Sequence, residues 1–235
     1  MLALEVGAFE LESELGGGNC RNGDEVNTHL ISLIEWSVAG EMLPGQQESG
    51  DQYLVKALPE GVLLVVVDGV GHGPDARHAA ELATQTIERM ETSSLVSLVR
   101  CCQERLRGTR GVVLSLAFFS ATDRTMTWLG VGNVEGVVLR AQGEPRQESL
   151  LVHAGLVGAN LPPISVSTIP VGYGDLLVVA TDGIRNGFAE RLNTKASTQE
   201  IAQRIVEQHW RHTDDALVLI ARYTSKRTKL TFPAD

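Results

Sequence analysis

The sequence predicts an α+β layered domain, with helices gathered outside a mostly antiparallel sheet system. Three observations predict it. Strand-sized apolar runs recur between Gly and Pro turns, the hydrophobic period becomes helical in only three places, and helices do not alternate strictly with strands. A doubly wound parallel sheet would need that alternation. The 235 residues, 43% hydrophobic, suffice for one ordinary globular domain. Residues 29–225 are assigned to it, between an N-terminal arm at 1–28 and a C-terminal tail at 226–235.

The arm mixes acidic positions with Gly16, Gly17, Gly18 and Asn22-Gly23, a composition suited to a flexible segment rather than to a core. From Leu30 the pattern is strand-like: LISLIEWSVAG, YLVKAL and GVLLVVV, separated by Pro44, Gly45, Gly50, Pro59 and Gly61. Between Pro74 and Glu91 the period changes. Ala76, Ala79, Ala80, Ala83, Ile87 and Met90 share one helical face, with Pro74 suited to the first turn. A second amphipathic helix is expected from Ser94 to Arg107, striped by Leu95, Leu98, Val99, Cys102 and Leu106 and ended by Gly108.

Strands return at VVLSLAFF, TMTWLGVG and VEGVVLR, with the rhythm of an antiparallel meander. The stretch from Gln142 to Pro170 is rich in Gly and Pro and yields no clear element. LLVVA at 176–180 and LVLIA at 217–221 are continuous apolar runs, suited to strands covered on both faces. Between them Ile201, Ala202, Ile205, Val206 and His209 mark a third helix, starting near Ser197 or Thr198.

Composition narrows the function classes. A formal charge of −9, from 20 basic against 29 acidic residues, offers no footprint for nucleic acid or an anionic membrane surface. No apolar run approaches the roughly 18–20 residues of a membrane-spanning helix, and MLALEVGAFELE lacks the basic start of a signal peptide. A cytoplasmic location is the expectation. Cys20, Cys101 and Cys102 have no metal or redox spacing and are expected to be reduced thiols without chemistry.

Four acidic sites stand at strand boundaries: Asp51 in SGD, Asp68 in DGVGHG, Asp182 in TDG, and Asp214 with Asp215 before the last strand. Each alone is weak, because Asp-Gly after a strand is most often a turn. Together they say more. Asp68 and Asp182 end very apolar strands and Asp214 precedes one, so an antiparallel sheet brings all three toward one edge. Gathered, desolvated carboxylates repel one another and call for a positive charge among them. Oxygen-only ligands favour Mg²⁺ or Mn²⁺, and this is preferred to zinc at His209, His212 and Asp214.

In that order and spacing, SGD at 49–51, DGVGHG at 68–73 leading into an Ala-rich helix, TDG at 181–183 and the final DD resemble the SpoIIE-type branch of the metal-dependent protein phosphatase 2C (PP2C) superfamily. The resemblance covers roughly residues 30–223. It implies a β-sandwich of two antiparallel sheets flanked by α-helices, with two Mn²⁺ or Mg²⁺ ions at one end. Asp68 is then expected to bridge both ions, Asp182 and Asp214 to complete one, and Asp51 with the Gly69 carbonyl to hold the other. Asp68, Asp182 and Asp214 are the residues expected to carry catalysis, and Asp215 is the weaker ligand candidate.

Within that branch, CQERLRGTRGVVLSLAFF and WLGVGNVEGVVL are similar to stand-alone stressosome phosphatases. This implies hydrolysis of phosphoserine or phosphothreonine on STAS-domain scaffold proteins of the stressosome, resetting the complex after stress. One departure is plain: Leu30 to Gly50 holds no Arg or Lys, where larger relatives place a phosphate-gripping arginine. Two other classes remain open at this point, a phosphoprotein-binding module of the same fold and a hydrolase of small phosphoesters. His72 is left outside the catalytic set, Arg185 and Asn186 are undecided, and Gly132-Asn133 is read as hairpin chemistry.

Overall fold

The computed structural model describes residues 33–224. The arm expected at 1–28, Cys20 within it, and the tail expected at 226–235 lie outside the described residues. Two sheets stack face to face. The first takes β1 (Ile34–Glu41), β11 (Ala216–Tyr223), β10 (Leu176–Ala180), β6 (Glu135–Leu139) and β7 (Gln147–Ser149), in that spatial order. The second takes β2 (Asp51–Leu58), β3 (Gly61–Gly69), β4 (Val112–Ser120), β5 (Thr125–Val131) and β8 (Val152–His153), with β9 (Ser167–Pro170) also on β5. Every pairing is antiparallel except β5 with β8.

The strands read as continuous apolar runs because the sandwich is covered on both outer faces. Along β3 the two-residue period sends Val62, Leu64 and Val66 into the core between the sheets. Leu63, Val65 and Val67 point the other way, under α1 (Pro74–Glu88) and α2 (Leu95–Arg105). On β11, Leu217, Leu219 and Ala221 join the inter-sheet core, while Ala216, Val218 and Ile220 face α3 (Thr198–His209). The result is a four-layer αββα domain.

The helices follow their local chemistry. Ala79, Ala80 and Ala83 present almost no bulk, so α1 lies close on β3 and β2. It stops at Glu88 rather than Glu91, because the Lys56 ammonium donates to the carbonyls of Glu88 and Met90 at 2.7 and 2.8 Å and takes over the terminal acceptors. Ser94 caps α2, which ends at Arg105, two residues before the expected end, and Gly108 follows at φ +86. Ser197 and Glu200 form a reciprocal capping box at the start of α3.

One expectation fails. β4 and β5 pair, but β6 does not continue their meander; it crosses to the first sheet and pairs with β10. Gly136 of β6 lies directly over the Trp128 indole of β5, where a Cβ would stand 2.3 Å from the ring. That stacking turns a sheet neighbour into the opposite layer, and β8 and β9 take the β5 edge. No helix among the described residues is long and apolar enough to cross a membrane.

Candidate metal centre

Two sheets, rather than one sheet edge, deliver the acidic residues. Asp51 opens β2 and lies in register opposite Asp68, near the end of β3. Asp182 follows β10, and Asp214 with Asp215 precedes β11, its antiparallel neighbour in the other sheet. The two groups meet at one end of the sandwich, where Asp51 and Asp68 each feel the charges of Asp182, Asp214 and Asp215.

The local sequence explains each position. In SGD, the Asp51 amide donates to Ser49 Oγ at 3.1 Å, and the Gly50 carbonyl accepts from the Gly69 amide at 3.1 Å. The second motif is thus tied to the first. Gly69 is required for room: a Cβ there would stand 2.0 Å from the Ala76 carbonyl oxygen at the start of α1. Its carbonyl oxygen lies toward Gly50, 3.3 Å from where a Cβ on that residue would be.

The four ligand candidates differ in environment. Asp51 is 7% exposed and accepts a 2.7 Å hydrogen bond from Thr181 Oγ1 of the opposite sheet. Burial nevertheless holds its carboxyl well above the ordinary range, with Asp215, Asp214 and Asp182 adding repulsion. Burial lifts Asp68 to about 9, and its four acidic neighbours push the same way. Asp214, half-buried, is raised by burial and then by Asp182 and Asp215; the Asp215 amide and His72 act against this. Asp182 is exposed and accepts from Asn133 Nδ2 at 2.7 Å.

Asp215 is separated from these by its bonding. It accepts the Leu43 and Gly50 amides on its two oxygens at 2.8 and 2.7 Å, and it is 3% exposed. Both oxygens are spent on anchoring the loop before β2, which suits the secondary place the sequence gives it. Asp214 accepts the Asp215 amide on one oxygen at 2.9 Å and feels the charges of Asp182 and His72.

Among the described residues, no lysine or arginine pairs with Asp51, Asp68, Asp182 or Asp214. Nor do three His, Cys, Asp or Glu side chains among them stand close enough to chelate an ion as arranged. A hard divalent cation fits this donor set: the groups are all oxygen, converge from four chain segments, and have no lysine or arginine paired to them among the described residues.

The zinc alternative finds no support. The His212 ring packs on Trp210 at 4.0 Å between centroids, and Trp210 Nε1 donates to the Asp214 carbonyl at 2.9 Å, so these residues brace the turn before β11. Cys102 is buried, with its thiol pushed up to about 12, and Cys101 and Cys102 are both free. Sequence reasoning missed Arg110. Its guanidinium pairs with Asp75 at 2.9 Å and lies over Gly71 in the DGVGHG loop, a proximity set by tertiary packing that no local motif announces. Arg185 is exposed and its amide donates to the His209 carbonyl, while Asn186 accepts from Arg211 at 3.2 Å.

A helix-flanked double sheet with carboxylates from both sheets at one end defines a phosphatase of the PP2C type. The chain belongs to the SpoIIE family: the model of that family, Stage II sporulation protein E, matches residues 59–224. It is 22% identical over 199 residues to the phosphoserine phosphatase RsbX of Bacillus subtilis (strain 168), covering 84% of this chain and 97% of that protein. A chain solved in work on the bacterial stressosome, as a modular system adapted to control secondary messenger signaling, is 31% identical with a TM-score of 0.73; the match covers 80% of this chain and 99% of that one. RsbX in complex with magnesium superposes with the same TM-score, 0.73, at 20% identity over 81% of this chain and 96% of that one.

Proposed function

We propose that this chain is a protein phosphatase that uses two Mn²⁺ or Mg²⁺ ions to hydrolyse phosphoserine or phosphothreonine on STAS-domain scaffold proteins of a stressosome. The observation that carries the reading is the confluence of Asp51, Asp68, Asp182 and Asp214 at one end of the sandwich, with no lysine or arginine paired to them among the described residues. A cluster so costly to desolvate serves no folding purpose. The substrate assignment rests on similarity to RsbX and to the stressosome-associated chain. Residues 29–225 act in this reading as one catalytic domain in the cytoplasm.

Asp68 faces Asp51 in its own sheet and the charges of Asp182 and Asp214 from the other, which supports reading it as the residue that would be shared between two ions. In this reading Asp182 and Asp214 would hold one ion, and Asp51 with the Gly69 carbonyl would hold the other. Bound divalent ions supply Lewis acidity toward water and phosphate oxygens and offset the charge of in-line displacement. The chain's part is to hold the carboxylates: Thr181 fixes Asp51, Asp215 fixes the loop that carries it, and the apolar strands keep the cluster rigid. With no basic residue from Leu30 to Gly50, phosphate binding depends on the ions more than on a side chain from that stretch.

The test is phosphate release from a phosphorylated STAS-domain protein and from a generic aryl phosphate, each with Mn²⁺ and with chelator. Metal-dependent turnover that strongly prefers the phosphoprotein is expected. Faster turnover of nucleotides or other small esters than of the phosphoprotein contradicts the substrate assignment.

A further inference from the structure

Hairpin chemistry does not explain Asn133. In the turn between β5 and β6 the left-handed conformation falls on Gly132, at φ +99, and Asn133 has none of the positive φ that singles out asparagine in tight turns. The backbone on either side of it is already held by other groups. The Gly132 amide donates to the His153 carbonyl at 2.8 Å, and Ser115 Oγ donates to the Val134 carbonyl at 2.7 Å.

The side chain is spent elsewhere. Asn133 is exposed, and its Nδ2 donates to Asp182 Oδ2 at 2.7 Å, across from the second sheet to the residue that follows β10. Asp182 is itself exposed on a turn and has no other side-chain hydrogen bond among the described residues. A short carboxylate so placed turns freely about its side-chain torsions unless something fixes it.

We infer that Asn133 is a positioning residue for the metal centre: its amide engages one oxygen of Asp182 and leaves the other available to a metal ion. The inference rests on the reading of Asp182 as a ligand. Partners that orient a ligating carboxylate from behind typically contribute about 10–100-fold in metal affinity. Because the turn backbone is held independently, removing the amide leaves the fold in place.

The experiment measures Mn²⁺ binding to the full-length chain by electron paramagnetic resonance, with metal-free melting alongside, for wild type, Asn133→Leu, Asp182→Asn and the double variant. Asn133→Leu keeps the branching of the side chain and removes the donor. The expected result is about a 10–100-fold weaker Mn²⁺ affinity in Asn133→Leu, unchanged metal-free melting, and no further loss when the substitution is added to Asp182→Asn. Saturating Mn²⁺ then restores most of kcat. Wild-type affinity in Asn133→Leu, beside weakened binding in Asp182→Asn, overturns the inference alone. Wild-type affinity in Asp182→Asn overturns the ligand reading beneath it. Lower metal-free melting with equal losses in both backgrounds assigns Asn133 a structural role and overturns the inference.

Discussion

Asp51 and Asp68 stand opposite each other in register across β2 and β3, a buried and a half-buried acid with a threonine hydroxyl on Asp51 and, among the described residues, no basic side chain paired to either. The buried Asp175, away from this end, is matched: it pairs with Arg140 at 2.9 Å and accepts the amides of Ala141 and Gly172. The contrast separates acids that hold the structure together from acids that the structure holds in place.

Replacing Asp68 by Asn removes one of the mutually repelling charges while keeping shape. Asp68→Asn is expected to lower kcat by about 10³-fold or more, beyond the 10–100-fold typical of an outer-shell partner. The metal-free variant is expected to melt above metal-free wild type. Phosphate release at saturating Mn²⁺ and calorimetric melting in chelator check the two halves, and a stability loss with retained activity would reverse the account of this residue.

The pH dependence has a definite sign. Asp68 titrates near 9 in the folded state and near 4 when unfolded, so the folded state binds the extra proton across that window. Its contribution to metal-free stability is fully present below about pH 4 and is lost as pH rises toward about 9. Melting of chelator-treated protein at several pH values is expected to fall more steeply for wild type than for Asp68→Asn. Parallel profiles for the two proteins contradict the cluster's electrostatics.

The adjacent acids Asp214 and Asp215 are expected to separate cleanly. Asp215→Asn replaces one acceptor oxygen that receives the Leu43 or Gly50 amide and is expected to cost about 1–3 kcal/mol in denaturant unfolding. Asp214→Asn is expected to leave metal-free stability within about 0.5 kcal/mol and to abolish turnover. Exchange of these phenotypes between the two positions is the outcome that counts against the assignment.

Much of this was legible in the residues. β10 spans the LLVVA run, and α3 starts at Thr198 behind Ser197, within the expected Ser197–Thr198 start, because burial on both faces and a capping residue are local signals. β7, β8 and β9 were not legible, since strands of two to four residues carry too few side chains to show a period. Strand order in the sequence brings Asp68, Asp182 and Asp214 toward one sheet edge, but that β2 and β3 lie in a different sheet from β10 and β11 is a matter of topology that strand boundaries do not announce. Asn133 was read as turn chemistry because Gly-Asn is a turn signal; its hydrogen bond to Asp182 is a contact between residues far apart in sequence.

The crossing itself can be tested. Gly136→Ala drives a methyl into the Trp128 ring, and overpacking of this kind costs about 1–3 kcal/mol. Denaturant unfolding is expected to show that loss with an unchanged m-value. Wild-type stability would mean that β6 does not lie against Trp128 as described.

The most direct measurement is the number of Mn²⁺ ions bound per chain, by isothermal titration, for wild type beside Asp68→Asn. Two ions per wild-type chain, with at least one lost in Asp68→Asn, is the result expected of a carboxylate that bridges a metal pair. A wild-type chain that binds fewer than two ions, or a variant that binds as many as wild type, contradicts the two-metal phosphatase.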